Sequence, residues 1–282
     1  MSSGSLTVFH TSDYQCGAPF VPIAADAMIR LAEEIGPDVI IASGDLTQRA
    51  KNREFRQARE ILDRFGPVPV VVTPGNHDVP LYRAWERAAF PYRNWKRFAG
   101  QELDSVTRLP GATIVALNSS RPRRAIVNGR LSEAQLSFAR QAFAEAPATE
   151  HRIVVTHHHF MPVPDRKGGR PMPKARQIAA AFEEMRLDAV LGGHVHQLHV
   201  TTTSGLTGTS PSASRAPVPL IACGTTTSRR GRGEEVGSNS LCVLRFSPEA
   251  LEVTPYRRAP TAPSFEALDK LRWPLLRPTG LS

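Results

Sequence analysis

Five short segments of the sequence place carboxylate, carboxamide or imidazole side chains directly after apolar runs. They are Asp13, Gly44-Asp45, Gly75-Asn76-His77-Asp78, His157-His158-His159 and Gly193-His194-Val195-His196. In open α/β sheets, the loops at the carboxyl ends of the strands converge on one crevice. We therefore expect these five turns to lie together. Their side chains are suitable ligands for Mn, Fe, Zn or Ni, and they include no thiolate.

A dinuclear metal site is the chemistry that this set favours. The candidate ligands are Asp13, Asp45, Asn76, His157, His194 and His196. Asp45 is in the middle of the set, so we expect its carboxylate to bridge two ions. A water shared by two ions would lose a proton near neutral pH and attack a phosphorus atom. Each segment taken alone is compatible with a structural role, such as a helix cap at Asp13. Their joint occurrence favours the metal site.

The elements that must position these residues alternate between strand and helix. The predicted strands are 6–9, 38–42, 68–73, 114–117, 152–156 and 188–191, and the predicted helices are 23–35, 53–65, 133–144 and 174–185. Ser132 and Gln135 form a capping box at the start of the third helix. Strands at 220–223, 241–246 and 251–256 follow without helices between them, and 201–219 is predicted to be a long surface loop.

This order predicts an α/β fold with antiparallel additions at the edge, in one domain that spans residues 1–282. The chain has 282 residues, of which 41% are hydrophobic, and it contains no apolar run long enough for a membrane helix. The N-terminus lacks the features of a secretory signal. The three cysteines do not suggest a disulfide framework, so we expect a cytoplasmic protein.

The net charge is +9, from 35 Lys and Arg against 26 Asp and Glu, and it favours anionic partners such as small phosphorylated substrates. The arginines cluster in loops rather than in a continuous stripe. Nucleic acid and membrane surfaces are therefore the less favoured partners, and a nuclease ranks below the other functions.

Four motifs resemble those of the calcineurin-like metallophosphoesterases. They are GDLT at Gly44–Thr47, GNHD at Gly75–Asp78, the pair His157-His158 and GHVH at Gly193–His196. The resemblance is closest to the bacterial class III cyclic-nucleotide-phosphodiesterase-like branch, and it covers most of the chain. It implies a two-sheet β-sandwich flanked by helices on both sides, with a cap-like insertion at about 79–112.

The resemblance also implies roles for individual residues. One metal ion would be bound by Asp13, Asp45 and His196, and a second by Asp45, Asn76, His157 and His194. His77 would act on the phosphate as leaving-group acid or transition-state stabiliser, oriented by a neighbouring carboxylate. Mn, Fe or Zn are the ions expected.

The first motif departs from the family pattern. The family has Asp-x-His, whereas this chain reads Asp13-Tyr14-Gln15, and a carboxamide oxygen is a poorer donor to Zn or Fe than an imidazole nitrogen. Gln15 could ligate through its oxygen and favour Mn or Mg, hold a water that ligates, or leave the first site weak. Cys16 is expected to point away as a small buried residue.

Substrate contacts are predicted from the loops. Arg121 and Arg124 in loop 119–127 and His158 are the candidates, with loop 165–174 nearby; His158 and His159 could instead support the site structurally. The aromatic and basic stretch 82–98 could form a cap over the substrate or pack on the core.

In the C-terminal tail, 257–282, Phe265, Leu268, Leu271 and Leu275 have near-helical spacing. The tail could dock on the domain, mediate a homodimer or rest on an anionic membrane.

The sequence as a whole predicts metal-dependent hydrolysis of a phosphodiester, either a cyclic nucleotide or a glycerophosphodiester-like compound. A phosphomonoesterase or pyrophosphatase is the alternative within the same class. A protein that binds a phospho-ligand or a metal without turnover is the alternative outside it, because Gln15 replaces the histidine.

Overall fold

The computed structural model describes residues 5–123, 127–162, 170–207 and 216–275, and these ranges contain both helices and strands. The helices are α1 (Pro22–Ile35), α2 (Asn52–Asp63), α3 (Ala84–Ala89), α4 (Arg93–Phe98), α5 (Glu133–Ala144), α6 (Ala175–Glu184) and α7 (Ser204–Thr207). The strands are β1 (Leu6–Thr11), β2 (Val39–Ala42), β3 (Val70–Val72), β4 (Ser105–Leu109), β5 (Ala112–Ala116), β6 (His151–Val155), β7 (Ala189–Gly192), β8 (His199–Thr202), β9 (Pro219–Ala222), β10 (Asn239–Phe246), β11 (Ala250–Arg258), β12 (Glu266–Ala267) and β13 (Leu271–Pro274).

The strands form two mixed sheets. The first has the order β12-β11-β10-β1-β2-β3, with β13 also paired to β11, and the second has the order β4-β5-β6-β7-β9-β8. β1, β2 and β3 run parallel to one another, as do β5, β6, β7 and β9. Each sheet therefore presents a row of parallel strands whose carboxyl ends lie at one edge.

Side chains that alternate along each strand face different hydrophobic clusters. In β2, Val39 and Ile41 belong to the cluster between the two sheets, whereas Ile40 faces the cluster that α1 and α2 cover. In β6, Ile153 and Val155 face the space between the sheets. The outer face of the second sheet is covered by α5 and α6. The resulting αββα layering confirms the predicted fold class.

Two segments differ from the sequence-based prediction. Part of the predicted loop 201–219 belongs to β8, which pairs antiparallel with β9, and α7 follows it. The helical spacing assigned to the C-terminal tail is wrong, because its residues form β12 and β13 against β11. Strand pairing satisfies the backbone groups that an open edge would otherwise expose. Trp273 packs against the cluster between the sheets, so this part of the tail docks on the domain.

The predicted cap segment, 79–112, divides its aromatic residues between the core and the surface. Trp95 on α4 is 1% exposed and meets the ring of Phe55 on α2 edge-on at 6.4 Å, whereas Tyr82 and Trp85 are 74% and 80% exposed. The same segment continues into β4, an edge strand that pairs with β5. Core packing therefore accounts for Trp95 and not for Trp85, and a cap role for the exposed part stays a prediction.

This division leads to a matched pair of substitutions. We predict that Trp95→Ala lowers the free energy of unfolding by about 3–5 kcal/mol, because it leaves a large cavity beside Phe55. Trp85→Ala should change it by less than about 0.5 kcal/mol, since that side chain faces solvent. Urea denaturation followed by circular dichroism measures both, and equal losses from the two variants would contradict the division.

Candidate active site

The candidate ligands lie where parallel strands of both sheets end. Asp13, Asp45 and Asn76 follow β1, β2 and β3 of the first sheet, and His157 and His194 follow β6 and β7 of the second. Asp13, Asp45 and Asn76 are buried. Backbone hydrogen bonds hold the turns against one another, including Asp13 N to the Gly44 carbonyl at 3.0 Å. The predicted convergence of the five turns is thus present in the structure.

Five of the predicted site residues have a left-handed backbone conformation. The φ angles are 52° for Asp13, 52° for Gln15, 51° for Asp45, 74° for His194 and 57° for His196. Such a conformation costs about 1–3 kcal/mol per residue that is not glycine, and it persists only where the surrounding structure enforces it. These residues concentrate at one edge of the sheets. Strained backbone of this kind is typical of functional sites, because it lowers stability.

Two glycines let the turns approach each other. A Cβ added at Gly75 would collide with the carboxylate of Asp45, and one added at Gly193 would collide with the hydroxyl of Ser12. Any side chain at these two positions would displace a neighbouring residue, so both must be glycine. Both belong to motifs identified in the sequence.

Asp13 and His196 face each other through a carboxylate oxygen and an imidazole nitrogen. His196 Nδ1 lies 2.9 Å from the carbonyl oxygen of Arg230, so Nδ1 carries a hydrogen. The other ring nitrogen, Nε2, lies 3.1 Å from Asp13 Oδ1, and Oδ1 has no further hydrogen-bond partner among the described residues. The other oxygen, Oδ2, accepts from Ser12 Oγ and the His194 amide. This contact needs positive charge, which either a proton on Nε2 or a metal ion supplies.

Asp45 and His157 repeat this arrangement. His157 Nδ1 lies 2.8 Å from the Ser43 carbonyl, and Nε2 is 3.4 Å from Asp45 Oδ2. Burial lowers the pKa of His157, but the Asp45 carboxylate outweighs it and raises the pKa to about 9. The pair therefore attracts positive charge, either as a proton or as a metal ion.

These contacts match the donor set of a metal site. A metal-ligating histidine donates its other ring N–H to a carbonyl or carboxylate, as His157 and His196 do. One ligand atom each from Asp13, Asp45 and His196 lie within 4.8 Å of one another. The residues present therefore fit a metal ion at the first predicted position.

The residues predicted for a second ion are also adjacent. His194 Nδ1 is 2.9 Å from Asn76 Oδ1, and its ring lies 5.2 Å from the His157 ring. Burial and the neighbouring histidines hold the pKa of His194 well below its ordinary value, so its imidazole is neutral and available as a ligand. His158 and His159 pack their rings against His194, and His158 Nδ1 is 2.8 Å from Ser119 Oγ.

Gln15 uses both ends of its carboxamide within the protein. Its Nε2 donates to Asp45 Oδ2 at 2.9 Å, and its Oε1 accepts from Arg230 Nη1 at 3.0 Å. The reverse orientation would set an amide oxygen against a carboxylate and an amide nitrogen against a guanidinium, so charge fixes the orientation. The oxygen that could ligate a metal is therefore held by Arg230.

His77 contacts Arg230 as well. Its Nδ1 lies 2.8 Å from the Gln48 carbonyl, so Nδ1 carries the hydrogen, and its Nε2 lies 3.1 Å from Arg230 Nη1. The carboxylate that the family resemblance implied as orienting group is not the partner of the ring: Asp78 instead accepts from the backbone amides of Gly75, Leu46 and Thr47. Burial and the Asp45 carboxylate raise the pKa of Asp78 to about 7.

Arg230 is the contact that the sequence analysis missed. In the sequence, Arg230 is one of several arginines in 229–232. Its position between Gln15 and His77 depends on the conformation of that loop, which the residue types do not predict. Arg121, a predicted substrate contact, donates to the carbonyls of Asn118 and Ser120. Arg124 and residues 163–169 of the other predicted loop lie outside the described residues.

The two-sheet fold and the convergent carboxylates and imidazoles define a metallophosphoesterase. The chain belongs to the calcineurin-like phosphoesterase family, whose model matches residues 6–198. The family resemblance noted in the sequence is thereby confirmed. The protein is accordingly a hydrolase that acts on phosphoester bonds, and the family implies divalent metal ions at the site.

Similar proteins agree with this assignment. A probable cyclic nucleotide phosphodiesterase of a Synechococcus strain is 26% identical over 212 residues, which cover 72% of this chain and 76% of that protein. The 3′,5′-cyclic adenosine monophosphate phosphodiesterase of Escherichia coli is 28% identical over 166 residues, 57% of this chain and only 54% of that protein. A dimetal phosphatase from Danio rerio shares the fold with a TM-score of 0.62 at 12% identity, covering 96% of this chain and 99% of that one.

The chain contains three cysteines, and all three are free and buried, Cys16 among them as expected. Within the described ranges, no helix is both long and apolar enough to cross a lipid bilayer. The cytoplasmic location and the homodimer stay predictions.

The contacts of Asp13 with His196 and of Asp45 with His157 lead to a test of metal binding. We predict that Asp45→Asn weakens Mn²⁺ binding by about 100-fold or more, because it removes the charge that Asp45 presents to His157 while preserving its shape. Isothermal titration calorimetry on chelator-treated protein measures the affinity. Asp38→Asn is the matched control, since Asp38 lies at the opposite end of β2, where its carboxylate accepts from the Thr7 amide. Unchanged Mn²⁺ affinity in Asp45→Asn would exclude the carboxylate as a ligand.

Proposed function

We propose that this protein hydrolyses a small phosphodiester at a dinuclear metal site bridged by Asp45. The observation that carries the proposal is the pair of buried contacts in which imidazole nitrogens face carboxylate oxygens, Asp13 with His196 and Asp45 with His157. Each contact attracts positive charge, and a metal ion can supply that charge in place of a proton.

In this proposal, Asp13, Asp45 and His196 hold one ion, and Asp45, Asn76, His157 and His194 hold the other. When bound, the ions supply positive charge to the phosphate oxygens and a water of lowered pKa as nucleophile. The protein fixes the imidazole orientations through the Ser43 and Arg230 carbonyls, which act as the second partners of His157 and His196.

His77 and Arg230 act on the other side of the phosphate. The Arg230 guanidinium donates towards His77 Nε2 and towards Gln15, and a phosphate oxygen entering between them would take over these hydrogen bonds. A proton gained at Nε2 of His77 can then be delivered to the leaving oxygen as the P–O bond breaks. The Gln48 carbonyl holds the ring in place through Nδ1.

The substrate proposal follows the printed names of the relatives. Two of them are cyclic nucleotide phosphodiesterases, so a cyclic nucleotide is the first substrate to test, ahead of a glycerophosphodiester, a phosphomonoester or a pyrophosphate. His158 stays a candidate substrate contact, since its ring lies against His194.

A second function is favoured by one observation. Gln15 replaces a histidine ligand and turns its oxygen to Arg230, so the first metal position has fewer strong donors. A protein with a weakened first site would bind a phospho-ligand or a metal ion with little turnover.

Gln15→His separates these two functions. If the first site limits activity, we predict that Gln15→His increases diester turnover at low Mn²⁺ by about tenfold or more, because an imidazole nitrogen is a better donor than a carboxamide oxygen. The assay uses bis(p-nitrophenyl) phosphate and p-nitrophenyl phosphate with Mn²⁺ titrated from chelated protein.

Gln15→Ala is the control, since it also frees Arg230 but adds no donor. A chelator-sensitive natural enzyme that turns over the diester supports the proposed function. Turnover by Gln15→His alone would favour the binding protein.

The role of His77 leads to a leaving-group test. We predict that His77→Gln lowers turnover of a cyclic nucleotide, whose leaving group is an alkoxide, by about 10²–10⁴-fold. Turnover of bis(p-nitrophenyl) phosphate should fall much less, because p-nitrophenolate leaves without a proton. Equal losses for both substrates would exclude His77 as the leaving-group acid and leave it a binding role.

A further inference from the structure

A basic cleft opens beside the candidate active site. Its volume is about 520 Å³, and its cationic lining consists of Arg49, Lys51, Arg53, Arg229 and Arg230. These residues come from the turn after β2, the start of α2 and the loop before β10. None of them belongs to the four motifs GDLT, GNHD, His157-His158 and GHVH.

The positive charge of the basic cleft is not neutralised by the protein. Among the described residues, no acidic side chain forms an ion pair with any of the five cations. Glu54 is the acidic residue in the lining, but it is buried, and one carboxylate oxygen accepts from the backbone amides of Arg49 and Lys51. Five cations around one cleft repel each other and attract an anion of more than one charge.

The basic cleft begins at the reacting groups. Arg230 lines it and contacts His77 Nε2 at 3.1 Å, and Gln48 lines it while its carbonyl holds His77 Nδ1. A ligand in the cleft therefore continues directly from the phosphate position that His77 and Arg230 define.

An exposed aromatic ring stands at the side of Arg49. The Arg49 guanidinium lies 5.1 Å from the centroid of the Tyr82 ring, and Tyr82 is 74% exposed. Arg83 fixes this segment to the turn by donating to the carbonyls of Arg49 and Ala50. A ring that is held by a cation on one side and open to solvent on the other offers a face on which a nucleobase can stack.

We propose that the substrate is a small nucleotide that carries a second phosphate group besides the scissile one, with that second phosphate in the basic cleft. This inference rests on the proposed function and narrows its substrate class. A 3′,5′-cyclic nucleotide has one phosphate, whose charge the metal ions and Arg230 already meet. Arg229 donates to the Ala18 carbonyl and Arg49 lies against Tyr82, but none of the remaining four cations has an anionic partner among the described residues. A second phosphate would supply one, since it binds arginine through charge-assisted hydrogen bonds.

The test compares two esters with the same chromogenic scissile bond. They are thymidine 5′-(p-nitrophenyl phosphate) and its 3′-phosphorylated form, which differ only in the second phosphate. We expect the natural protein with Mn²⁺ to favour the 3′-phosphorylated ester by about tenfold or more in kcat/KM. This is the size of effect that a hydrogen bond to a charged group contributes. Equal kcat/KM values would overturn the inference while leaving the proposed function intact.

A pair of double variants ties the preference to the basic cleft. Lys51→Gln with Arg53→Gln removes two cations that contact none of Gln15, His77 and Tyr82, and it should abolish the preference with little effect on the ester that lacks the 3′-phosphate. Arg245→Gln with Arg272→Gln removes the same charge at exposed positions elsewhere, on β10 and β13, and should keep the preference. Loss of preference in both double variants would mean that net charge, and not the cleft, is responsible.

Binding separates this inference from the proposed function. Titration of chelator-treated protein with thymidine 3′,5′-bisphosphate should show binding that weakens by about tenfold or more in Lys51→Gln with Arg53→Gln. Such binding without turnover of either ester would support the basic cleft as a phosphate-binding site and contradict the proposed phosphodiesterase activity. No binding of the bisphosphate would reject the cleft. Stronger competition by a short oligothymidylate than by the bisphosphate would overturn the choice of a small nucleotide in favour of a nucleic-acid strand.

Discussion

The fold holds Asp13 Oδ1 and His196 Nε2 3.1 Å apart in its interior, where the pair needs positive charge. Buried polar atoms without a partner are costly, so this contact persists only because other groups fix each side chain. The His194 amide and the Ser12 hydroxyl hold the far oxygen of Asp13, and the Arg230 carbonyl holds the far nitrogen of His196. The protein thus gives up stability to present an arrangement that suits a cation.

The contact needs both sheets at once. Asp13 follows β1 of the first sheet, and His196 follows β7 of the second, so the apolar cluster between the sheets sets the distance between the two side chains. The left-handed backbone at both residues turns their side chains back into the edge where the sheets meet. A buried apolar interface is a stiff spacer, because interiors pack as densely as organic crystals. The chemistry at the edge therefore depends on packing several residues away from it.

The sequence predicted the layers and the convergence of the candidate ligands because both have short-range signals. Apolar runs ending in polar turns identified β1, β2, β3, β6 and β7, and the Ser132 capping box marked the start of α5. It did not predict the structure of the tail. The spacing of its apolar residues favoured a helix, whereas the tail pairs as a strand with the open edge of β11. The role of Arg230 was not predicted either, because its contacts with Gln15 and His77 join residues far apart in the chain. Tertiary contact of this kind has no signature in local residue types.

The turn that carries Asp13 is anchored by the last third of the chain. Three consecutive threonines before β10 bind it: Thr225 to the Asp13 carbonyl, Thr226 to the Ser12 amide and Thr227 to the Tyr14 carbonyl. During synthesis the ribosome releases the first motif long before these threonines, and β1 lacks its neighbour β10 over the same interval. The emerging chain therefore carries exposed carboxylates and histidines without a finished geometry. The Asp13 turn therefore reaches its final geometry only after residues 225–227 have been synthesised and have joined the fold.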